Sequence, residues 1–144
     1  MAGKLISQAT ETTPASGDMI PIARPGDTTA RYFTYENLVI PEYASSVSQT
    51  GTDAPTETVI YNNTGATGTW SYVGVGNYRL TFSSAILTAN KTIVLLSKGG
   101  SGAGSILASR LTSSAISVWA YNSSFSLSNS VMTGAQLLVR IYPT

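Results

Sequence analysis

The sequence predicts an all-β protein in which an extended N-terminal arm, residues 1–57, is followed by a jelly-roll-like β-sandwich, residues 58–144. Three observations point there. After Thr58, short segments rich in β-branched and aromatic residues recur about every ten residues between Gly, Asn and Ser, the pattern of an all-β sandwich or barrel. Before it, five of the six prolines (Pro14, Pro21, Pro25, Pro41 and Pro55) interrupt every apolar run, which blocks helices and favours extended chain. Charged residues make up only 10% of the chain, against roughly 25% in an average globular protein, while 20 Ser and 19 Thr supply hydroxyls to solvate a surface.

In the arm, Met19-Ile20-Pro21-Ile22 reads as an edge strand and residues 31–39 as a second element. In the sandwich, strands are expected near residues 58–62, 68–74, 77–83, 91–97, 105–111, 114–121, 124–128 and 135–142, eight in all, the number in a jelly roll. Ile116 and Val118 point to one face while Ser117 and Trp119 point to the other; Leu137, Val139 and Ile141 likewise oppose Leu138, Arg140 and Tyr142. The partly apolar second face of that last strand suits burial against another subunit as well as it suits ordinary packing. Gly74-Val75-Gly76-Asn77 predicts a hairpin, because Gly and Asn tolerate the positive φ that tight turns need. Lys98 to Ser105 reads KGGSGAGS, a loop between strands; it lacks the GK[ST] ending of a phosphate-binding loop, and no helical pattern follows it.

Charge is split along the chain. All seven carboxylates (Glu11, Asp18, Asp27, Glu36, Glu42, Asp53 and Glu57) fall in residues 1–57 beside Lys4, Arg24 and Arg31, a balance of −4; residues 58–144 hold five cations and no acid. The net charge of +1 predicts no nucleic-acid partner, and five cations over 87 residues form no binding stripe. The longest apolar runs, such as Ile93 to Leu96, are too short to span a membrane, so no membrane insertion is expected. With no His and no Cys, Ser-His-Asp and Cys-His catalysis are excluded, and the carboxylates carry neither calcium-loop spacing nor a pair in the β region. The sequence therefore predicts no enzyme, no metal and no cofactor. Asn62, Asn90 and Asn122 open sequons that read as accidental in a chain so rich in Ser and Thr.

What remains is aromatic. Tyr72, Tyr78, Trp119 and Tyr121 lie in expected strands, either as core or as a platform on which a sugar ring stacks. The second possibility would make the chain a free-standing carbohydrate-binding module.

The N-terminal segments Lys4-Leu5-Ile6-Ser7-Gln8, Gly17-Asp18-Met19-Ile20-Pro21-Ile22, Gly26-Asp27 and Arg31-Tyr32-Phe33-Thr34-Tyr35-Glu36-Asn37-Leu38 resemble the stretch that opens many fibre and virion-appendage proteins of tailed bacteriophages. The resemblance covers about a quarter of the chain, with Ala9 where Leu is commoner and Arg31 slightly displaced. It implies a virion protein, a short head fibre or tail-associated fibre, held to capsid, portal or tail proteins through Ile6, Asp18, Ile20, Ile22, Gly26, Tyr32 and Leu38. It also implies a distal β-domain that is a homotrimer and aids attachment to a host-surface glycan.

Overall fold

The computed structural model describes residues 19–22, 31–34, 39–99, 104–129 and 131–142, and among these every element is a strand. The chain divides into two units, Met1–Val39 and Ile40–Thr144. In the first, β1 (Met19–Ile22) pairs antiparallel with β2 (Arg31–Thr34), Ile20 opposite Phe33 and Pro21 opposite Tyr32. β1 falls where the sequence put it, and β2 covers the first four residues of the element expected at 31–39, of which 35–38 lie outside the described residues.

The second unit is a β-sandwich of two four-stranded antiparallel sheets. Its strands are β3 (Glu42–Ser48), β4 (Thr56–Asn62), β5 (Gly68–Gly74), β6 (Asn77–Phe82), β7 (Thr92–Ser97), β8 (Ser105–Arg110), β9 (Ala115–Tyr121) and β10 (Ala135–Ile141). One sheet runs β4-β3-β10-β7 and the other β5-β6-β9-β8. Inward side chains alternate with outward ones, so Tyr43, Val47, Leu137 and Val139 meet Tyr78, Leu80, Ile116 and Val118 in one core. The Tyr43 and Phe82 rings close that core edge to face, centroids 5.1 Å apart. A fully buried Leu or Val such as Leu80 or Val118 contributes about 1.5–3 kcal/mol through apolar burial alone.

Two strand assignments change. The sandwich begins at Ile40 instead of Thr58, because β3 occupies residues the sequence reading gave to the arm and is a central strand, hydrogen-bonded to β4 and β10. Pro41 immediately precedes β3 and Pro55 immediately precedes β4, positions where a missing N–H costs no ladder bond. In addition, β3 buries Tyr43, Ser45 and Val47 on one face, and the serine hides the apolar alternation.

The strand expected at residues 124–128 is a turn with a single bridge between Tyr121 and Leu127. Asn122 Oδ1 accepts the backbone N–H of Ser124 at 2.9 Å and of Ser126 at 3.0 Å, and this local capture competes successfully with a ladder. The remaining seven expected strands agree to within about two residues at each end. The β5–β6 hairpin is present, with Gly76 at φ 61°. In the Gly-rich segment, residues 100–103 lie outside the described residues.

Candidate functional site

The residues assigned to virion anchoring divide by position. Ile20 and Ile22 stand in β1 and Tyr32 in β2, whereas Ile6, Asp18, Gly26 and Leu38 lie outside the described residues.

The four candidate aromatics separate onto opposite sides of one sheet. Register places Tyr72, Tyr78, Val118 and Ala108 in one row on the inner face. Tyr78 is 0% exposed and Tyr72 packs against it edge to face, centroids 5.9 Å apart. Tyr78 is therefore core, and no surface of its ring is open to a sugar. Its hydroxyl proton is shared between Gln49 Oε1 at 2.8 Å and Asn129 Oδ1 at 3.1 Å. Burial, followed by the neighbouring Tyr72, pushes its pKa up to about 12.

Trp119 and Tyr121 face outward, half-buried. Three rows of paired residues make up that outer surface. The first is Leu107–Trp119–Asn77, the second Ser109–Ser117–Arg79–Ser71, and the third Ala115–Thr81–Thr69. Leu107 is 58% exposed and lies directly beside Trp119. Arg79 is exposed, and among the described residues its guanidinium has no hydrogen-bond or ion-pair partner. The sequence reading named Trp119 and Tyr121 but missed Leu107 and Arg79. The alternation of β6 already put Arg79 and Asn77 on one face; the pairing that brings them to Trp119 is long-range and leaves no local trace.

The outer face of the β4-β3-β10-β7 sheet is organised differently. An apolar row, Tyr61–Ala44–Leu138–Leu95, crosses all four strands. On one side lies a polar row, Thr58–Ser46–Gln136–Ser97, in which Gln136 Nε2 donates to Ser46 Oγ at 3.2 Å. On the other side Arg140 is ion-paired and hydrogen-bonded to Glu42 across β10 and β3, with exposed Ile93 beyond. The hydrogen bond to Tyr142, then that to Glu42, hold Arg140 more firmly charged than a free arginine.

The two ends of the sandwich also differ. Ile40 and Pro41 enter beside Asn63, Ile141 and Lys91: Asn63 Nδ2 donates to Ile40 O, Ile141 N to Pro41 O, and Tyr142 N to Lys91 O. At the opposite end the β3–β4, β5–β6 and β9–β10 connections are cross-linked through Gln49, Tyr78 and Asn129. Asn129 Oδ1 also accepts Gly76 N at 2.9 Å, and Gly134 N donates to Ser48 Oγ at 3.0 Å. Phe125 projects from this end, 82% exposed and at φ 56°, a left-handed conformation rare for a bulky residue. A depression of about 210 Å³ between Ser48, Gln49, Asp53 and Thr56 is smaller than the roughly 300 Å³ at which ligand pockets begin.

Among the described residues no group of three or more carboxylates gathers where a metal could be held. Glu57 is occupied by Tyr43, whose hydroxyl donates to Oε2 at 2.7 Å; burial, then that bond and charge, raise the Tyr43 pKa well above its usual value. No described helix is long and apolar enough to cross a membrane. The chain matches no family model, no curated protein and no solved structure.

Proposed function

We propose that the chain is a virion structural protein of a tailed bacteriophage, a short head fibre or tail-associated fibre, attached through residues 1–39 and projecting its sandwich as a homotrimer that aids adhesion to the host surface. The observation that carries this reading is the N-terminal resemblance. Two of its segments, Met19–Ile22 and Arg31–Thr34, form a small sheet in a unit separate from the sandwich. A separate anchoring unit is what an appendage needs, since attachment must leave the distal domain folded. In this reading Ile20, Ile22 and Tyr32, with Ile6, Asp18, Gly26 and Leu38, hold capsid, portal or tail proteins. The sandwich's eight strands and its sheet crossings at β4–β5, β6–β7, β7–β8 and β9–β10 support assigning it to the jelly-roll-like sandwiches.

The β4-β3-β10-β7 face supports the trimer reading. An apolar row flanked by polar rows has the core-and-rim composition of protein interfaces. Among the described residues its ion pair, Arg140 with Glu42, is already satisfied within the protomer, so covering the face does not bury that charge alone.

Particle assembly with and without residues 1–39 tests the attachment. The truncated chain should fold and remain outside particles; normal incorporation would sink the anchoring assignment. Light scattering tests the oligomer: three protomers of 15.1 kDa predict about 45 kDa for the full chain, and the truncated form should likewise show three times its own protomer mass. A monomer in both would remove the trimer and favour the free-standing carbohydrate-binding module.

A further inference from the structure

We infer that the outer face of the β5-β6-β9-β8 sheet binds a saccharide bearing a carboxylate, with Trp119 stacking on the sugar ring and Arg79 holding the carboxylate; this rests on the adhesion part of the proposed function. Three features of the face carry the inference. The first is charge. No acid occurs after Glu57, so no carboxylate is present anywhere in β5 through β10, and Arg79 stands exposed on this surface without a partner among the described residues. A guanidinium presents a planar fork that matches a carboxylate through two parallel hydrogen bonds, and no described residue occupies this one.

The second feature is spacing. Arg79 is directly opposite Ser117, and Trp119 is two residues further along β9 on the same face. Such diagonal neighbours on an antiparallel pair lie about 7–8 Å apart, a distance that one sugar ring spans between a stacked face and a carboxylate at its edge. Leu107 lies beside the indole and widens the apolar shelf. The third feature is the polar surround: Ser71, Ser109, Thr69 and Thr81 expose hydroxyls on the same face, able both to donate to and to accept from sugar hydroxyls.

Together these features select the ligand class. A neutral sugar leaves Arg79 unused. A nucleic acid needs several phosphate contacts, and this face offers a single cation. An apolar protein surface would bury the guanidinium unpaired. Because a site with one stacked ring and one ion pair is weak, on the order of 1 mM, three copies on one particle appendage supply the avidity.

The test uses the full-length chain and follows the two indole N–H resonances of Trp70 and Trp119 by NMR during titration. The probes are oligogalacturonate, hyaluronan oligosaccharide and sialyllactose, each beside its carboxyl-reduced counterpart, and a short single-stranded oligonucleotide. The expected result is a shift of Trp119 with at least one acidic saccharide and about tenfold weaker binding of its reduced form. Arg79→Gln should weaken the acidic ligand by about tenfold, and Arg79→Lys should recover only part, since an ammonium lacks the fork. Trp119→Ala should abolish binding while the Trp70 resonance stays in place, which reports an intact core. Equal binding of acidic and reduced forms would overturn the role of Arg79 and with it the inference, while leaving glycan adhesion standing. Arg79-dependent binding of the oligonucleotide alone, or no response to any saccharide, would overturn it as well; particle incorporation, measured separately, would still decide the virion assignment.

Discussion

Alkaline pH should unfold this protein through two tyrosines. Tyr43 and Tyr78 are the largest fully buried side chains, one in each sheet, and burial holds both phenols in the neutral form. Tyr78 titrates at about 12 in the folded chain against 10.0 for an unperturbed phenol. Because the folded value is the higher, the neutral form is favoured by folding. The contribution is complete below pH 10 and is lost as pH rises from 10 to 12, where the unfolded chain releases a proton that the folded chain retains. Two pH units at about 1.4 kcal/mol each amount to about 3 kcal/mol from Tyr78, and Tyr43 acts in the same direction. Urea unfolding midpoints measured at pH 8, 10 and 11 should therefore hold steady to 10 and then fall. Tyr78→Phe should flatten the fall while lowering stability at pH 8 by about 1–3 kcal/mol, since Gln49 and Asn129 lose its proton. A urea midpoint that does not fall between pH 10 and 11 would refute the reasoning.

Three further outcomes are expected. Gly76→Ala should cost more than about 2 kcal/mol: besides adopting φ 61°, its Cβ would meet Ala120 O at 2.5 Å and Ser128 N at 2.6 Å, both backbone atoms, and a lowered thermal midpoint would report it. Phe125→Gly should leave stability unchanged or raise it by about 1 kcal/mol, because a strained conformation is relieved at a side chain with almost no burial to lose; a drop in the denaturant midpoint would contradict this. Leu95→Arg should reduce the mass of the assembled protein while leaving the circular dichroism of the sandwich intact, and an unchanged mass would move the subunit interface elsewhere.

Much of the sandwich was legible locally. Where Thr, Val, Ile and aromatics alternate without interruption, as in β5, β6 and β10, the strand and its boundaries follow from the residues. Legibility failed where side chains compete with that pattern. In β3 a buried serine stands between Tyr43 and Val47 and prolines flank the hairpin, so a central strand looks like arm. At residues 124–128 the apolar Phe125 and Leu127 suggest a strand, but Asn122 captures two backbone N–H groups first. The candidate site was half legible: Trp119 could be named, yet its neighbours Leu107, Asn77 and Arg79 come from two other strands, and only the register of β6 and β8 on β9 joins them. The same register removes Tyr72 and Tyr78 from the platform, since one residue of alternation decides which face a side chain occupies.

The charge split of the sequence acquires a spatial meaning once the strands are paired. Glu42, Asp53 and Glu57, the acids of the Ile40–Thr144 unit, lie in β3, in β4 or in the turn between them, all on the β4-β3-β10-β7 side. Glu42 is consumed by Arg140 and Glu57 by Tyr43. The β5-β6-β9-β8 sheet has Arg79 and Arg110 with no acid to offset them, and Arg110 turns back to donate to Leu87 O, which leaves Arg79 as the cation its outer face presents. Among the described residues, one outer face thus carries an apolar row with its charges internally paired, suited to a second protein surface, whereas the other is hydroxyl-rich with a single unpaired cation, suited to a small anion-bearing ligand. A trimer closed on the first face would not cover the second, so the two proposals are compatible. Leu95→Arg should therefore weaken apparent avidity for an acidic polysaccharide surface without changing the affinity of a single soluble oligosaccharide.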